Sequence, residues 1–224
     1  MKQRKPSNLS DPIHHQLNMY AVAAGAGVGM LALAVPAAGR IVYTPAHEQV
    51  PPGFPGYLDL DLNRDGINDV LFSNFFSSTS STLNLTVSPV NPSNEIFSFT
   101  PGSAAALRAG VKVGPRGKFQ RALGEGMAAG NSHGSCSGRW VHAHNRYLGL
   151  KFVIKGKTHF GWARLDVSCI FPKAINATLT GYAYETVPNK PIIAGKTHGK
   201  DAITLQDASL GHLARGASAI PAWR

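Results

Sequence analysis

The chain has 224 residues and carries 22 Lys and Arg against 12 Asp and Glu, for a formal net charge of +10. This length suffices for one domain with a substantial core. The basic residues are scattered singly, without a dense run or a recognised nucleic-acid motif, so the composition excludes specific nucleic-acid binding as the expected function. The positive charge leaves contact with a cell-surface polysaccharide or another anionic polymer open, and the sequence names no other partner.

Residues 1–38 have the features of a secretory signal peptide. Basic residues lie within the first five positions, the segment 19–35 is uncharged and apolar, and small residues at 35–38 suit signal peptidase. A membrane anchor is the alternative, because about 18 apolar residues begin to qualify as a spanning helix. Glycines in the segment weaken its hydrophobicity and helix propensity, which favours cleavage. The mature chain is therefore predicted to be secreted or displayed at the cell surface, without a stable membrane span.

Residues 39–195 are predicted to form one all-β domain, a β-sandwich of the jelly-roll or lectin-like kind with long loops and little helix. Strand-sized segments separated by Gly and Pro turns favour this class. The first strand is predicted at 41–43, and the prolines that follow keep the chain extended or turning up to residue 56. Residues 196–224 form a C-terminal tail, predicted as a short helix or a degenerate sorting signal.

An Asp-rich segment at 59–69 has the spacing of a calcium loop. Side-chain oxygens at every second residue converge when the backbone curls, Gly66 permits the sharp turn, and Ile67 offers a carbonyl oxygen. Four carboxylates close together on an otherwise basic chain also repel one another unless a cation neutralises them. The sequence therefore predicts one structural Ca²⁺ ion, with the ligand set Asp59, Asp61, Asn63, Asp65, Ile67 and Asp69.

The flanks of this segment indicate the type of loop. A helix-flanked hand needs a Glu at its twelfth position, and counting from Asp61 that position is Phe72. Short apolar, β-favouring runs on both sides predict a strand, loop and strand instead. The pattern Asp-x-Asn-x-Asp-Gly-x-x-Asp at 61–69 resembles the calcium loops of FG-GAP and VCBS-type extracellular β repeats. The alternative is a turn without metal, stiffened by Asx hydrogen bonds.

Further strands are predicted where apolar and polar residues alternate, at 82–87, 95–99, 148–154, 158–167 and 175–184. The third and fourth form a hairpin around Lys155-Gly-Lys157. On the last strand, one face is predicted to carry Ile175, Ala177, Leu179, Gly181 and Ala183. A polar loop at 73–81 is predicted to pack Phe75 and Phe76 beneath it. Residues 101–138 are predicted as a long loop excursion with a short helical turn at 104–108.

Cys136 and Cys169 are the only cysteines, and an even count in an exported chain favours a disulfide between them. The alternative is a hydrolase in which Cys136 is a nucleophile activated by a nearby histidine. The Gly-x-Cys-x-Gly motif at 134–138 lacks the preceding strand and following helix of a nucleophile elbow. The protein is therefore predicted not to be an enzyme.

Two other groups of side chains are candidates for binding. His142 and His144 have the spacing of a transition-metal pair on one side of a strand, but zinc needs a third and a fourth ligand, so they are predicted as surface histidines. A sugar-stacking platform of a lectin-like module would use Trp140, Trp162, Tyr182 and Tyr184. Packing within the core is the commoner role of aromatic residues in strands.

Four stretches resemble a group of small secreted bacterial proteins of unknown role, some of which carry a PEP-CTERM-type sorting tail. They read Tyr147-Leu-Gly-Leu-Lys-Phe, Gly156-Lys-Thr-His-Phe-Gly-Trp-Ala-Arg-Leu, Gly181-Tyr-Ala-Tyr-Glu-Thr and Pro191-Ile. The resemblance implies export and a β-rich domain, and it implies no catalytic residues. The tail departs from the sorting pattern, because residues 210–224 contain no Pro-Glu-Pro triplet. The sequence thus predicts an exported, non-enzymatic β-sandwich with a structural calcium loop, with a carbohydrate-binding module as the alternative.

Overall fold

The structure is a computed structural model that describes residues 39–53, 56–79, 81–130, 134–170, 174–197 and 202–204. Over these ranges the chain is all-β and contains no helix, which confirms the predicted fold class. Consequently no helix in the described part of the chain could cross a membrane. The predicted signal peptide at 1–38 and most of the tail at 196–224 lie outside the described residues.

The strands are numbered in chain order. They are β1 Ile41–Val50, β2 Tyr57–Leu60, β3 Val70–Ser77, β4 Thr82–Pro89, β5 Glu95–Thr100, β6 Ser103–Ala104, β7 Lys112–Val113, β8 Phe119–Gln120, β9 Glu125–Gly130, β10 Cys136–Ser137, β11 Arg146–Ile154, β12 Lys157–Ile170, β13 Ala174–Glu185, β14 Ile192–Ile193 and β15 Ala202–Thr204. Most of the long strands are those that the alternating pattern predicts.

The long strands form two sheets that are continuous at one corner. The first sheet has the order β15-β1-β13-β12-β11-β5, and β8 also pairs with β5. The second has the order β6-β9-β4-β3-β2, and β10 also pairs with β9. The pairing of β5 with β6 joins the two sheets, while β14 and β7 form a separate two-stranded sheet.

The main core lies between the inner faces of the two sheets. Phe72 of β3 and Leu85 of β4 are fully buried in the same cluster as Leu150 of β11 and Leu165 of β12. Along β4 every second side chain is buried, which is the pattern of a strand with one face on a core. Each such side chain contributes roughly 1.5 to 3 kcal/mol of stability by leaving water, so this cluster is a large favourable contribution to the stability of the fold.

A second core lies on the opposite face of the first sheet. Trp162 of β12 is fully buried there, and the segment after β6 and the segment at β14 cover it with Leu107, Val113 and Ile192. Residues 101–138 are therefore not a simple loop excursion, because much of the described part of this segment forms short strands and a covering layer. The central residues of β12 are buried in succession because both faces of the strand are covered.

The helical turn predicted at 104–108 is wrong. Ala104 is buried in the main core, whereas Ala105 and Leu107 are buried in the second core. Burial that alternates between two sides is the period of an extended chain rather than a helix. Leu107 also exchanges backbone hydrogen bonds with Tyr147, with N–O distances of 2.9 and 3.0 Å. Burial of successive residues in two different cores requires an extended chain, and it outweighs the helix propensity of alanine.

A bulge in β13 breaks the single face that the sequence predicts for this strand. Gly181 is opposite Arg164 and Leu179 is opposite Leu165, so Thr180 has no residue of its own across the ladder. Beyond the bulge Tyr182 enters the main core, and Ala183 enters the second core instead. The guanidinium of Arg164 donates to Thr180 Oγ1 and to Thr180 O, both at 2.8 Å, and these bonds stabilise the extra residue.

The other expectations for local structure have mixed outcomes. The hairpin between β11 and β12 is confirmed, with Lys155 and Gly156 both at positive φ in the turn. The loop predicted at 73–81 is wrong in its first half, because β3 continues to Ser77. Phe75 and Phe76 are 36% and 46% exposed rather than packed beneath a loop.

Candidate functional site

The Asp-rich loop connects β2 to β3, which is the strand, loop and strand arrangement predicted from its flanks. Leu60 pairs with Val70 at the end of this antiparallel hairpin that is next to the loop. The N–H of Asp69 donates to Leu60 O at 2.8 Å and closes the base of the loop. The eight residues between Leu60 and Asp69 therefore reverse the direction of the chain.

Asp61 organises the turn through its carboxylate. Its Oδ1 accepts hydrogen bonds from the N–H of Arg64 at 2.7 Å and of Asp65 at 3.3 Å, and its Oδ2 accepts one from Gly66 N at 2.7 Å. Arg64 and Gly66 both lie at positive φ, 58° and 87°, which the sharp curl requires. One carboxylate thus binds three successive amides, and the backbone curls around it as an Asx-type turn.

Asp65 carries the second carboxylate of the turn. Its Oδ1 accepts a hydrogen bond from Ile67 N at 3.0 Å, and its Oδ2 accepts one from Asn63 Nδ2 at 2.8 Å. The amide of Asn63 thus presents its nitrogen to Asp65. To ligate a cation, Asn63 would present Oδ1 instead, which requires half a turn of the amide about χ2.

Asp69 differs from the other acidic residues of the loop because it is buried, with only 5% of its surface exposed. Its Oδ2 accepts a hydrogen bond from Leu62 N at 2.9 Å, and its Oδ1 accepts one from Asn94 Nδ2 at 3.2 Å. Burial raises the pKa of Asp69 from 3.8 to about 6, against the lowering effect of these two hydrogen bonds. The negative charges of Asp61 and Asp65 add to the increase in pKa.

Asn94 connects this loop to the first sheet, and it is not among the residues predicted from the sequence. Its Nδ2 donates to the side chain and to the backbone carbonyl of Asp69, both at 3.2 Å, and its Oδ1 accepts a hydrogen bond from Val153 N of β11 at 3.1 Å. Asn94 is only 2% exposed. The Asn-Pro pair at 91–92 marks a turn here, but no spacing in the sequence links this turn to Asp69.

The loop also rests on the first sheet through Leu62 and is close to Tyr184. Leu62 is 1% exposed and belongs to the main core. A Cβ atom at Gly161 of β12 would stand 2.8 Å from Leu62 Cδ2, so the glycine permits this close approach. Burial, and then the charges of Asp61 and Asp65, raise the pKa of Tyr184. Arg64 of the acidic turn also donates from Nε to the hydroxyl of Tyr182 at 3.5 Å, so the turn lies beside this end of β13.

The donor set has the chemistry of a hard-cation site, because it offers only carboxylate, amide and carbonyl oxygens. Within the described ranges, however, no three His, Cys, Asp or Glu side chains are grouped closely enough to hold a metal ion. Asp59 is exposed on β2, opposite Leu71. Side-chain rotations in addition to that of Asn63 would thus be needed to bring the predicted ligands together.

Cys136 and Cys169 form a disulfide with Cα atoms 6.2 Å apart, as predicted. The bond links β10, on the edge of the second sheet, to β12 in the middle of the first. Among the described residues there is no free cysteine. Cys136 in this disulfide has no thiol, and a nucleophilic role would require its reduction.

The two histidines do not lie on a strand, and the rings of the alternative, a sugar-stacking platform, are largely buried. His142 lies in a turn at a φ of 55°, not on a strand, and His144 Nδ1 lies 3.1 Å from Asp166 Oδ1. Trp140 and Trp162 are fully buried and Tyr182 is 7% exposed, so none of these rings presents a face to a sugar. The large exposed aromatic residues of the described chain are Tyr57, Phe75, Phe76 and Phe99.

Comparison of this chain with protein-family models, with curated proteins and with solved structures finds no match. The structure itself shows an all-β domain of two joined sheets that a disulfide links, with an acidic turn on its β2–β3 hairpin. The resemblances to secreted bacterial proteins and to FG-GAP and VCBS loops stay predictions.

Proposed function

We propose that this is an exported, non-enzymatic β-sandwich protein that acts at the cell surface or outside it, and whose β2–β3 loop binds one structural Ca²⁺ ion. The proposed ligands are Asp59, Asp61, Asn63, Asp65, Ile67 and Asp69. Calcium would supply positive charge at a turn where several carboxylates lie in sequence. It would perform no chemistry on a substrate.

The observation that carries this proposal is the buried carboxylate of Asp69. Its pKa of about 6 means that the folded chain disfavours the charged form, first through burial and then through the charges of Asp61 and Asp65. A divalent cation would offset both effects, because it replaces lost hydration and attracts all three carboxylates. An Asx turn alone accounts for the hydrogen bonds of Asp61, but it does not account for an acidic residue buried next to two others.

The contacts of Asp69 indicate what the ion would do for the fold. Through Asn94 the carboxylate is connected to Val153 of β11, and through Leu62 N it is connected to a residue of the main core. An ion bound to Asp69 would therefore stabilise the β2–β3 hairpin against the first sheet. The backbone curl already exists around Asp61, so binding would mainly rearrange side chains.

Thermal unfolding of the mature domain in calcium and in chelator tests the proposal. Extracellular modules bind Ca²⁺ with dissociation constants of roughly 0.1 to 1 mM, so 10 mM Ca²⁺ would add about 1.4 to 2.7 kcal/mol to the stability of the folded state. For a domain of this size we expect Tm to rise by about 3 to 10 °C. Asp65→Ala removes one of the proposed ligands and should abolish this increase. Because Asp65 bonds only within the loop, the variant should keep the rest of the fold.

Glu48→Ala is the matched control, because Glu48 is an exposed carboxylate on β1 outside the loop. It should keep the full calcium-dependent increase in Tm. An equal response of wild type and Asp65→Ala, or no response of the wild type, would refute calcium binding by this loop. A response to Mg²⁺ of the same size would indicate general charge screening instead.

A further inference from the structure

Three arginines from separate segments line one depression of about 290 Å³ on the surface. Arg108 follows the isolated bridge between Leu107 and Tyr147, Arg139 lies in the turn after β10, and Arg146 begins β11. Phe99 and Ala106 complete the lining. The fold thus brings Arg108 together with Arg139 and Arg146, which lie more than 30 residues further along the chain.

None of these arginines is paired with a carboxylate among the residues that the structure describes. The ion pairs recorded there join His144 to Asp166, Lys151 to Glu95 and Lys190 to Glu185. Three positive charges around one depression repel one another, and a bound anion would relieve this repulsion. The depression is therefore a place where an anion gains more than it would on the scattered basic surface.

Phe99 positions one of the three guanidinium groups. Arg139 Cζ lies 5.9 Å from the centroid of the Phe99 ring, in cation–π geometry. The ring itself packs edge-on against Phe97, with centroids 5.6 Å apart, and remains 49% exposed. Because the ring restricts Arg139 in advance, less side-chain entropy is lost when the guanidinium binds a ligand.

The lining indicates the chemistry of the ligand. A guanidinium donates two parallel hydrogen bonds to a carboxylate, and its geometry suits planar oxyanions better than an ammonium does. The volume is near the lower end for small-molecule pockets, which suits one sugar-sized group rather than a large ligand. An extended nucleic acid would instead need a basic stripe. A lipid surface would need a broad apolar face with several basic residues around it.

We propose that Arg108, Arg139 and Arg146 bind the carboxylate of an acidic polysaccharide, with one uronate unit in the depression. Arg139 is held by Phe99, and the other two arginines approach from the β6–β7 segment and from β11. This site does not depend on calcium binding by the β2–β3 loop. It gives the positive charge of the chain a specific binding role in addition to its general attraction for anions.

Binding of a galacturonate hexamer, measured by isothermal titration calorimetry at low salt, tests this site. Chelator is present throughout because polyuronates themselves bind calcium, and it also removes any contribution of the Asp-rich loop. A neutral galactose hexamer should not bind. The triple variant Arg108→Gln, Arg139→Gln, Arg146→Gln should bind the uronate at least tenfold more weakly.

Two further variants distinguish binding in this depression from general attraction by the positive charge of the protein. The triple change Lys112→Gln, Lys155→Gln, Lys157→Gln removes the same charge at exposed positions outside the depression, and it should weaken binding less than threefold. Replacing the three arginines with lysines keeps the charge but removes the planar forks, and it should still weaken binding severalfold. If the arginine-to-glutamine triple fails to fold, which its Tm would reveal, the arginine-to-lysine triple tests the proposal in its place.

Several outcomes would overturn the proposal. Equal losses in the arginine and lysine-to-glutamine triples would mean that only the overall charge matters. Full affinity after arginine-to-lysine replacement, or binding of the neutral hexamer, would contradict recognition of a carboxylate by guanidinium forks. Stronger, arginine-dependent binding of a sulfated hexamer, of single-stranded DNA or of anionic lipid vesicles would assign the depression to those ligands instead.

Discussion

Replacing Asp69 with Asn should change how the stability of the domain depends on pH. The pKa of this carboxyl is about 6 in the folded chain and 3.8 as its ordinary value. Between these two values the folded state binds more protons at Asp69 than the unfolded state does. The contribution of Asp69 to the free energy of unfolding in chelator should therefore be highest below about pH 4. It should fall as the pH rises to about 6.

The difference between 3.8 and about 6 corresponds to at most about 3 kcal/mol, and screening of the charges of Asp61 and Asp65 reduces it to roughly 1 to 3 kcal/mol. Asp69→Asn cannot lose a proton, so the variant should lack this decrease. Its oxygen can still accept the hydrogen bond from Leu62, although its amide nitrogen would meet the nitrogen of Asn94. Its absolute stability can therefore change while its pH profile becomes flatter.

The assay is urea unfolding at several pH values from 4 to 7.5, in chelator, with Glu48→Gln as the control. Glu48 is exposed on β1, so its replacement should leave the profile as in wild type. Under the calcium proposal, adding Ca²⁺ should stabilise the wild type more at pH 7 than at pH 5, because the ion binds the deprotonated carboxylate. Identical slopes for wild type and Asp69→Asn between pH 4 and 6 would refute the reasoning about burial.

Two other predictions concern links between the sheets. Cys136→Ala with Cys169→Ala opens a loop of 33 residues, and the free energy of unfolding in urea should fall by about 3 to 4 kcal/mol. Reduction of the wild type should give a similar loss, and an unchanged midpoint would contradict it. Asn74→Leu should cost about 2 to 4 kcal/mol in the same assay, because Asn74 Nδ2 donates to Val50 O at 3.2 Å and to Ile175 O at 2.7 Å. If this variant is as stable as the wild type, water must satisfy the carbonyl oxygens of Val50 and Ile175.

Local pattern predicts well where one rule governs a segment. The hairpin at Lys155 and Gly156 follows from turn chemistry alone, and β4 follows from alternation against one core. The flanks of the Asp-rich segment likewise predict that two strands enclose it. In each case the residues that determine the structure are neighbours in the chain.

Prediction from local pattern fails where one segment packs against two different cores. Ala104 and Ala105 have good helix propensity, but they are buried on opposite sides of an extended chain. The face predicted for β13 changes at Thr180 because the bulge is stabilised by Arg164 from the neighbouring strand. No rule of local spacing contains this information.

The amino-acid sequence by itself determines the all-β class, the acidic turn between two strands and the pairing of the only two cysteines, because composition and short-range geometry suffice for these. Tertiary structure alone decides that Asp69 is buried against Asn94, and that Arg108, Arg139 and Arg146 surround one depression. The reason is physical. Burial and the meeting of distant charges depend on which sheets pack together, and that packing is a property of the whole chain.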